Sequence, residues 1–167
     1  DKIDNIEGIR NLAYDGEWLY VADNTTKIHR VDIATMKNVE DIAISEYSRH
    51  LAFVPTLDGG NGGFEVGDWQ SSIYVAKNGS KLGTGPIYKG ASGTAYANGK
   101  IYAFEQGNDA NKYTIGIYDF ATGERTGSID MGKYVEIDDI ASVSAGGMSS
   151  FISNDGITYM LLSLQRQ

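Results

Sequence analysis

Asp23, Asp68 and Glu105 each close a short apolar stretch, Trp18 to Ala22, Phe64 to Gly67 and Ile101 to Phe104, so three carboxyls recur at equivalent positions. Two such groups can cleave a glycosidic bond that they flank, about 5 Å apart for retention and further apart for inversion. Arg10 and the pair Arg49 and His50 precede matching apolar runs, and Trp69 directly follows Asp68. A ring of acids and cations beside an indole could hold a polar ligand such as a glycan, by stacking and by hydrogen bonds to its hydroxyls. The plainer alternative carries more weight: each acid pairs with a nearby cation or caps a loop, and the position recurs because the structural unit recurs. No catalytic residue is therefore assigned. Arg10, Asp23, Arg49, His50, Asp68, Trp69 and Glu105 form the candidate ligand-binding set.

His29 and His50 are the only histidines, 21 residues apart, and the sequence has no cysteine. A His-rich metal centre, Cys-ligated zinc, thiol catalysis and disulfides are thereby excluded. A triad would have to join His50 to a serine, yet no Gly-x-Ser-x-Gly elbow occurs, nor a Walker or dinucleotide glycine loop. The stretch Asp58 to Gly63 offers calcium only Asp58, Asn61 and backbone carbonyls, where that ion takes six to eight oxygens. A glycine-rich hairpin is the preferred reading there, and Gln106 to Asn111 is equally ambiguous. Asp138 and Asp139 read as a solvated loop. No cofactor is expected, calcium being supported by these loops alone.

The elements that must position these residues form a repeat. Ile9-Arg10-Asn11-Leu12-Ala13-Tyr14 is echoed by Ser48-Arg49-His50-Leu51-Ala52-Phe53 and by Ser92-Gly93-Thr94-Ala95-Tyr96, with the aromatics 39 and 43 residues apart. After each comes a turn with Asp-Gly or Asn-Gly: Asp15-Gly16, the longer Asp58 to Gly63, and Asn98-Gly99. Such pairs supply the positive φ that tight hairpins need. The strand ending in an acid follows, then a third strand rich in β-branched and aromatic residues (Lys27 to Asp32, Ile73 to Lys77, Ile115 to Asp119). Weaker fourth strands are expected over Val39 to Ile44, Leu82 to Ile87 and Arg125 to Ile129.

Four strands about every 40 residues is the blade pattern of a β-propeller. The expected architecture is all-β, about three and a half four-stranded blades in a single domain over 1–167, as a portion of a larger propeller. Blades fall at about 8–45, 48–88 and 92–130, with a partial one at 145–167, and residues 1–7 supply a stray outer strand. A β-sandwich, the alternative, also has short strands and frequent turns but does not explain the aligned aromatics. Because the first two strands of a blade run antiparallel, the start of one and the end of the next share a face. That puts Arg10, Arg49 and His50 at one mouth of the central channel with the three acids.

The 167 residues suffice for one core, and a net charge of −8 repels phosphate backbones, so nucleic acid is not an expected partner. Apolar stretches fall short of the roughly 20 residues of a membrane span, so no insertion is expected. Glycan or protein ligands remain, together with pairing of exposed strand edges to missing blades or another chain. The start at Asp1 reads as a trimmed or mature boundary.

Arg49-His50-Leu51-Ala52-Phe53 running into Pro55 to Trp69, Asp119-Phe120-Ala121-Thr122-Gly123 and Ala145-Gly146-Gly147-Met148 together resemble β-propeller-like repeat domains of secreted and surface proteins, lipoproteins included, of Bacteroidetes. The resemblance covers nearly the whole chain. It implies an exported, noncatalytic binding or scaffold module, secreted, periplasmic or at the cell surface. A glycan-active hydrolase or lyase using the channel-face carboxylates is the alternative.

Overall fold

The computed structural model describes residues 3, 5–106, 114–133 and 143–166, with side chains described over 146–163 in the last stretch. β1 (Asn11–Tyr14), β2 (Leu19–Ala22), β3 (Lys27–Asp32) and β4 (Lys37–Ala43) form an antiparallel sheet in chain order. β5 (His50–Val54), β6 (Gly63–Gly67), β7 (Ser72–Ala76) and β8 (Lys81–Thr84) form a second. β9 (Ala91–Ala97), β10 (Lys100–Glu105), β11 (Thr114–Asp119) and β12 (Arg125–Asp130) form a third. β13 (Val143–Ile152) and β14 (Thr158–Arg166) pair as the hairpin of a fourth unit.

Turn chemistry sets this order. Asn98 and Gly99 both take positive φ, 50° and 74°, the geometry that turns a two-residue hairpin along the natural strand twist. The first strands of the four units then gather side by side: β5 touches β1 and β9, and β13 touches β9 and β1. Four inner strands thus surround one axis.

Apolar layers fill the spaces between sheets. Tyr20, Ile28, Leu51, Phe64 and Val75 pack between the first and second, with the Tyr20 and Phe64 rings 4.5 Å apart. Val54, Tyr88, Ile101 and Tyr118 fill the next layer, and Phe104, Ile115 and Met148 the one against β13. Each large apolar side chain so buried is worth about 1.5–3 kcal/mol. Middle sheets are covered on both faces, which is why β6 is buried along its whole length.

Two segments differ from the sequence-based expectation. Ile3 and Asn5 to Glu7 form no strand; Ile6 instead packs on Val21 and Val31, across the outer face of the first sheet. β8 stops at Thr84 rather than Ile87, because Pro86 has no N–H to give a ladder, and Ile87 is left 78% exposed. The expected loops at Asn108, Asp109, Asp138 and Asp139 lie outside the described residues.

Candidate functional site

Asn11 stands on the axis at the start of β1 and is buried. Its amide nitrogen donates to the carbonyl oxygens of Leu51 on β5 and, at 3.4 Å, Thr94 on β9. Its side-chain oxygen accepts the Met148 N–H of β13 at 2.8 Å. One side chain therefore joins all four inner strands. Close approach there depends on glycine: a Cβ on Gly93 would lie 2.4 Å from the Met148 nitrogen, and one on Gly147 would lie 2.6 Å from the Arg10 carbonyl oxygen. The axis is plugged at this level by backbone and by Asn11.

Beyond the plug, towards the ends of the inner strands, the axis opens into a cavity of about 610 Å³. Leu12, Leu51, Ala95 and Phe53 contribute to its wall, and Tyr14, Tyr96, Phe151 and Ile152 to its rim. Half of its polar side chains are engaged. Thr94 donates to Glu65 at 2.7 Å and Ser150 to the Tyr96 carbonyl at 2.7 Å, while Tyr14 donates to the Gly16 carbonyl at 2.6 Å. Asp15, the one charged lining residue among those described, is tied to Lys77, 2.5 Å away in the turn after β7, and to the Trp18 and Glu17 N–H groups. Burial opposes ionisation of Asp15, but these donors hold its carboxyl below the usual range. The cup presents a neutral, largely apolar surface.

None of the seven candidate residues lines that cup; they stand around the opposite, starting ends of the inner strands. Arg49, Asp68 and Trp69 come together there: the Arg49 guanidinium carbon sits 3.4 Å from the Trp69 ring centroid, and the Asp68 carboxylate accepts the Trp69 backbone N–H at 2.7 Å. Arg10 is exposed. Asp23 instead accepts His29 at 2.9 Å and Thr25 at 2.6 Å within its own sheet. Glu105 is buried, its oxygens taken by the Tyr118 hydroxyl, the Lys89 N–H and the Arg125 guanidinium, the last at 2.9 Å. Asp58 and Asn61 are exposed and bond to one another at 3.4 Å. Among the described residues no group of three His, Asp or Glu could hold a metal ion.

His50 belongs to a buried network that sequence reasoning did not assemble. Its Nε2–H donates to the Asp68 carbonyl at 2.8 Å, and its Nδ1 lies 3.4 Å from Glu65, which also accepts Tyr88 at 2.8 Å and Thr94. Glu65 is fully buried, which opposes its ionisation. The His50 charge and the bonds from His50, Thr94 and Tyr88 outweigh that, and its carboxyl falls below the ordinary range. The signal was available: an acid between Phe64 and Val66, in a strand buried on both faces, must find partners. His29 is likewise held between Asp23 and, at 2.7 Å, Asp41.

No protein-family model matches the chain, and no curated protein matches it. Solved structures do. Glutaminyl cyclase of Myxococcus xanthus superposes with a TM-score of 0.66 at 18% identity, over 95% of this chain and 71% of that one. The WD40 domain of Neurospora crassa Pan2 gives 0.54 at 12%, over 95% of this chain and 48% of that one. BBS1N, in its complex with ARL6DN, gives 0.54 at 16%, over 93% of this chain and 45% of that one. The fold is a β-propeller. This propeller has three four-stranded blades and a two-stranded fourth unit among the described residues, and spans under half the length of the last two neighbours. At such identities the likeness concerns fold alone, since propellers of one architecture serve both enzymes and binding proteins. No described helix is long and apolar enough to cross a membrane.

Proposed function

We propose that this propeller is a noncatalytic binding module whose axial cup takes apolar side chains of a protein ligand. The observation that carries this is the cup itself: a cavity of about 610 Å³, closed at one end by the Asn11 plug, with an aromatic rim and no free charge. Its volume falls in the range of ligand pockets, about 300–1,000 Å³. A sugar would ask for many hydrogen bonds, whereas the hydroxyls of Thr94, Ser150 and Tyr14 are already committed and few polar lining groups remain beside the apolar wall. Apolar side chains ask for none. The rim residue Phe151 stacks with Tyr159 beside the cup, centroids 5.3 Å apart and both about half exposed, the kind of aromatic surface that anchors protein interfaces. An exported setting, for which the sequence resemblance argues, forms part of the proposal.

Panning a display library of random 12-residue peptides against the full chain tests the reading. Enriched peptides should carry clustered Leu, Phe or Trp, and Tyr14→Ser or Phe151→Ser, both at exposed rim positions, should weaken them by about 30-fold, the loss of one interface anchor of about 2 kcal/mol. Peptides that bind both variants as they bind the parent would sink the cup as the site. Reducing-sugar release from a glycan, abolished by Asp68→Asn, would establish the enzymatic alternative instead.

A further inference from the structure

The other end of the axis is chemically opposite to the cup. Of the four arginines with described side chains, Arg30 pairs with Glu40 at 3.0 Å and Arg125 with Glu105 at 2.9 Å, whereas among the described residues neither Arg10 nor Arg49 has a carboxylate within ion-pair distance. Both unpaired arginines immediately precede or lie one residue before inner strands, Arg10 ahead of β1 and Arg49 ahead of β5. In a chain of net charge −8, two guanidiniums at one place with no described carboxylate paired to either call for a physical reason.

Arg49 is built rather than loose. Its guanidinium lies on the Trp69 indole at 3.4 Å, its backbone N–H is fixed on the Gly67 carbonyl at 2.8 Å, and its Nε is buried without a hydrogen-bond partner. Among the described residues no side chain is hydrogen-bonded to its terminal nitrogens. Burial and the Arg10 charge both press against its protonated form, and Asp68 only partly relieves them. The Asp68 carboxylate accepts the backbone N–H of Trp69 instead of facing the guanidinium. Stacking fixes the plane of the fork, and a planar fork matches a carboxylate with two parallel N–H donors.

We propose that Arg49, held flat on Trp69 and assisted by Arg10, is a binding site for a carboxylate monoanion at the end of the axis opposite the cup. A single charge is favoured over a phosphate dianion because Asp68 and the acidic chain repel the second charge. The anion relieves the repulsion between the two guanidiniums and satisfies donors that the described residues leave open. The site stands whether or not the cup binds a protein.

Titration calorimetry on the full chain in low-salt buffer, with Trp69 fluorescence as a second readout, provides the test. D-glucuronate and N-acetylglycine present the carboxylate on a sugar and on a peptide-like end, and the tighter of the two identifies its source. Glucose and inorganic phosphate are the controls. Binding of either carboxylate should weaken at least about tenfold in Arg49→Gln, by a smaller factor in the exposed Arg10→Gln, and should fall as salt rises from about 0.01 M to 0.15 M, where screening shortens from about 30 Å to 8 Å. Arg49→Lys, which keeps the charge and loses the fork, should also bind more weakly than the parent. Glucose binding as well as glucuronate, phosphate binding more tightly than either carboxylate, or affinity unchanged in both Gln variants would each overturn the proposal. Circular dichroism and thermal midpoints matching the parent keep a folding defect from passing as lost affinity.

Discussion

At the residue scale, polar side chains hold the centre of this propeller. Asn11 is the clearest case, since its one amide serves groups on β5, β9 and β13. Asn11→Leu preserves the size and removes every one of those bonds, leaving the Met148 N–H and two carbonyls buried without partners. The expected cost is about 2–4 kcal/mol, each orphaned group costing about 1–3 kcal/mol less what relaxation recovers. Hydrogen exchange at the Met148 amide should accelerate before the β6 amides do, and a melting temperature equal to that of the parent would count against Asn11 as the clasp. The sequence showed Asn11 and His50 only as polar residues at the head of matching apolar runs. The carbonyls that Asn11 meets lie 40 and 83 residues away, and the carbonyl and carboxylate that His50 meets lie on or just after the neighbouring strand β6.

At the element scale, β13 is held by close backbone approach as much as by side chains. Its register on β14 shifts between Ala145 and Met148, where Gly146 and Gly147 sit, and that irregularity lets it press against β1. Gly147→Ala places a methyl against the Arg10 carbonyl and Asn11 side chain, so β13 must move. Overpacking of this kind costs about 1–3 kcal/mol. Urea unfolding should show the loss, whereas Gly99→Ala, whose added Cβ meets nothing within 4 Å but whose φ is 74°, reports turn strain alone and should cost less. Equal losses in the two variants would argue against tight packing at the axis. Strand order within each blade was legible because hairpin turns and the aromatic repeat are local signals. The outer strand expected over Lys2 to Glu7 was not, since Ile6 found a packing surface on Val21 and Val31 instead of a ladder.

At the scale of the whole molecule, buried charge sets the pH range of stability. The carboxyls of Asp15, Asp23 and Glu65 are held below their ordinary values despite burial, and that of the exposed Asp41 by its bonds to Lys27 and Asn38. A depressed folded-state pKa adds stability that is present above the unfolded value and lost as pH falls below about 4. The phenols of Tyr20, Tyr74, Tyr88 and Tyr118 are pushed up, chiefly by burial and by neighbouring carboxylates. Their contribution is present below about pH 10 and lost above it. Thermal midpoints should therefore be flat from about pH 5 to 9 and fall on both sides, with Glu65→Gln flattening the acid limb. An acid limb of the same slope in that variant would remove Glu65 from the account.

By itself the sequence determined the all-β class, the number of strands per blade and the direction of each hairpin, because strand alternation and positive-φ turns act over a few residues. It also marked which end of the inner strands carries Arg10, Arg49 and Trp69. Tertiary structure alone decided which polar groups are consumed and which are left open. Glu105 pairs with Arg125, Asp23 with His29, and Glu65 with His50, while Arg49 rests on an indole. It also made the apolar cup, whose wall is drawn from four inner strands separated by up to 137 residues between Asn11 and Met148. A cavity and a free charge are both defined by what surrounds them, and the surroundings exist only once the blades have closed around the axis.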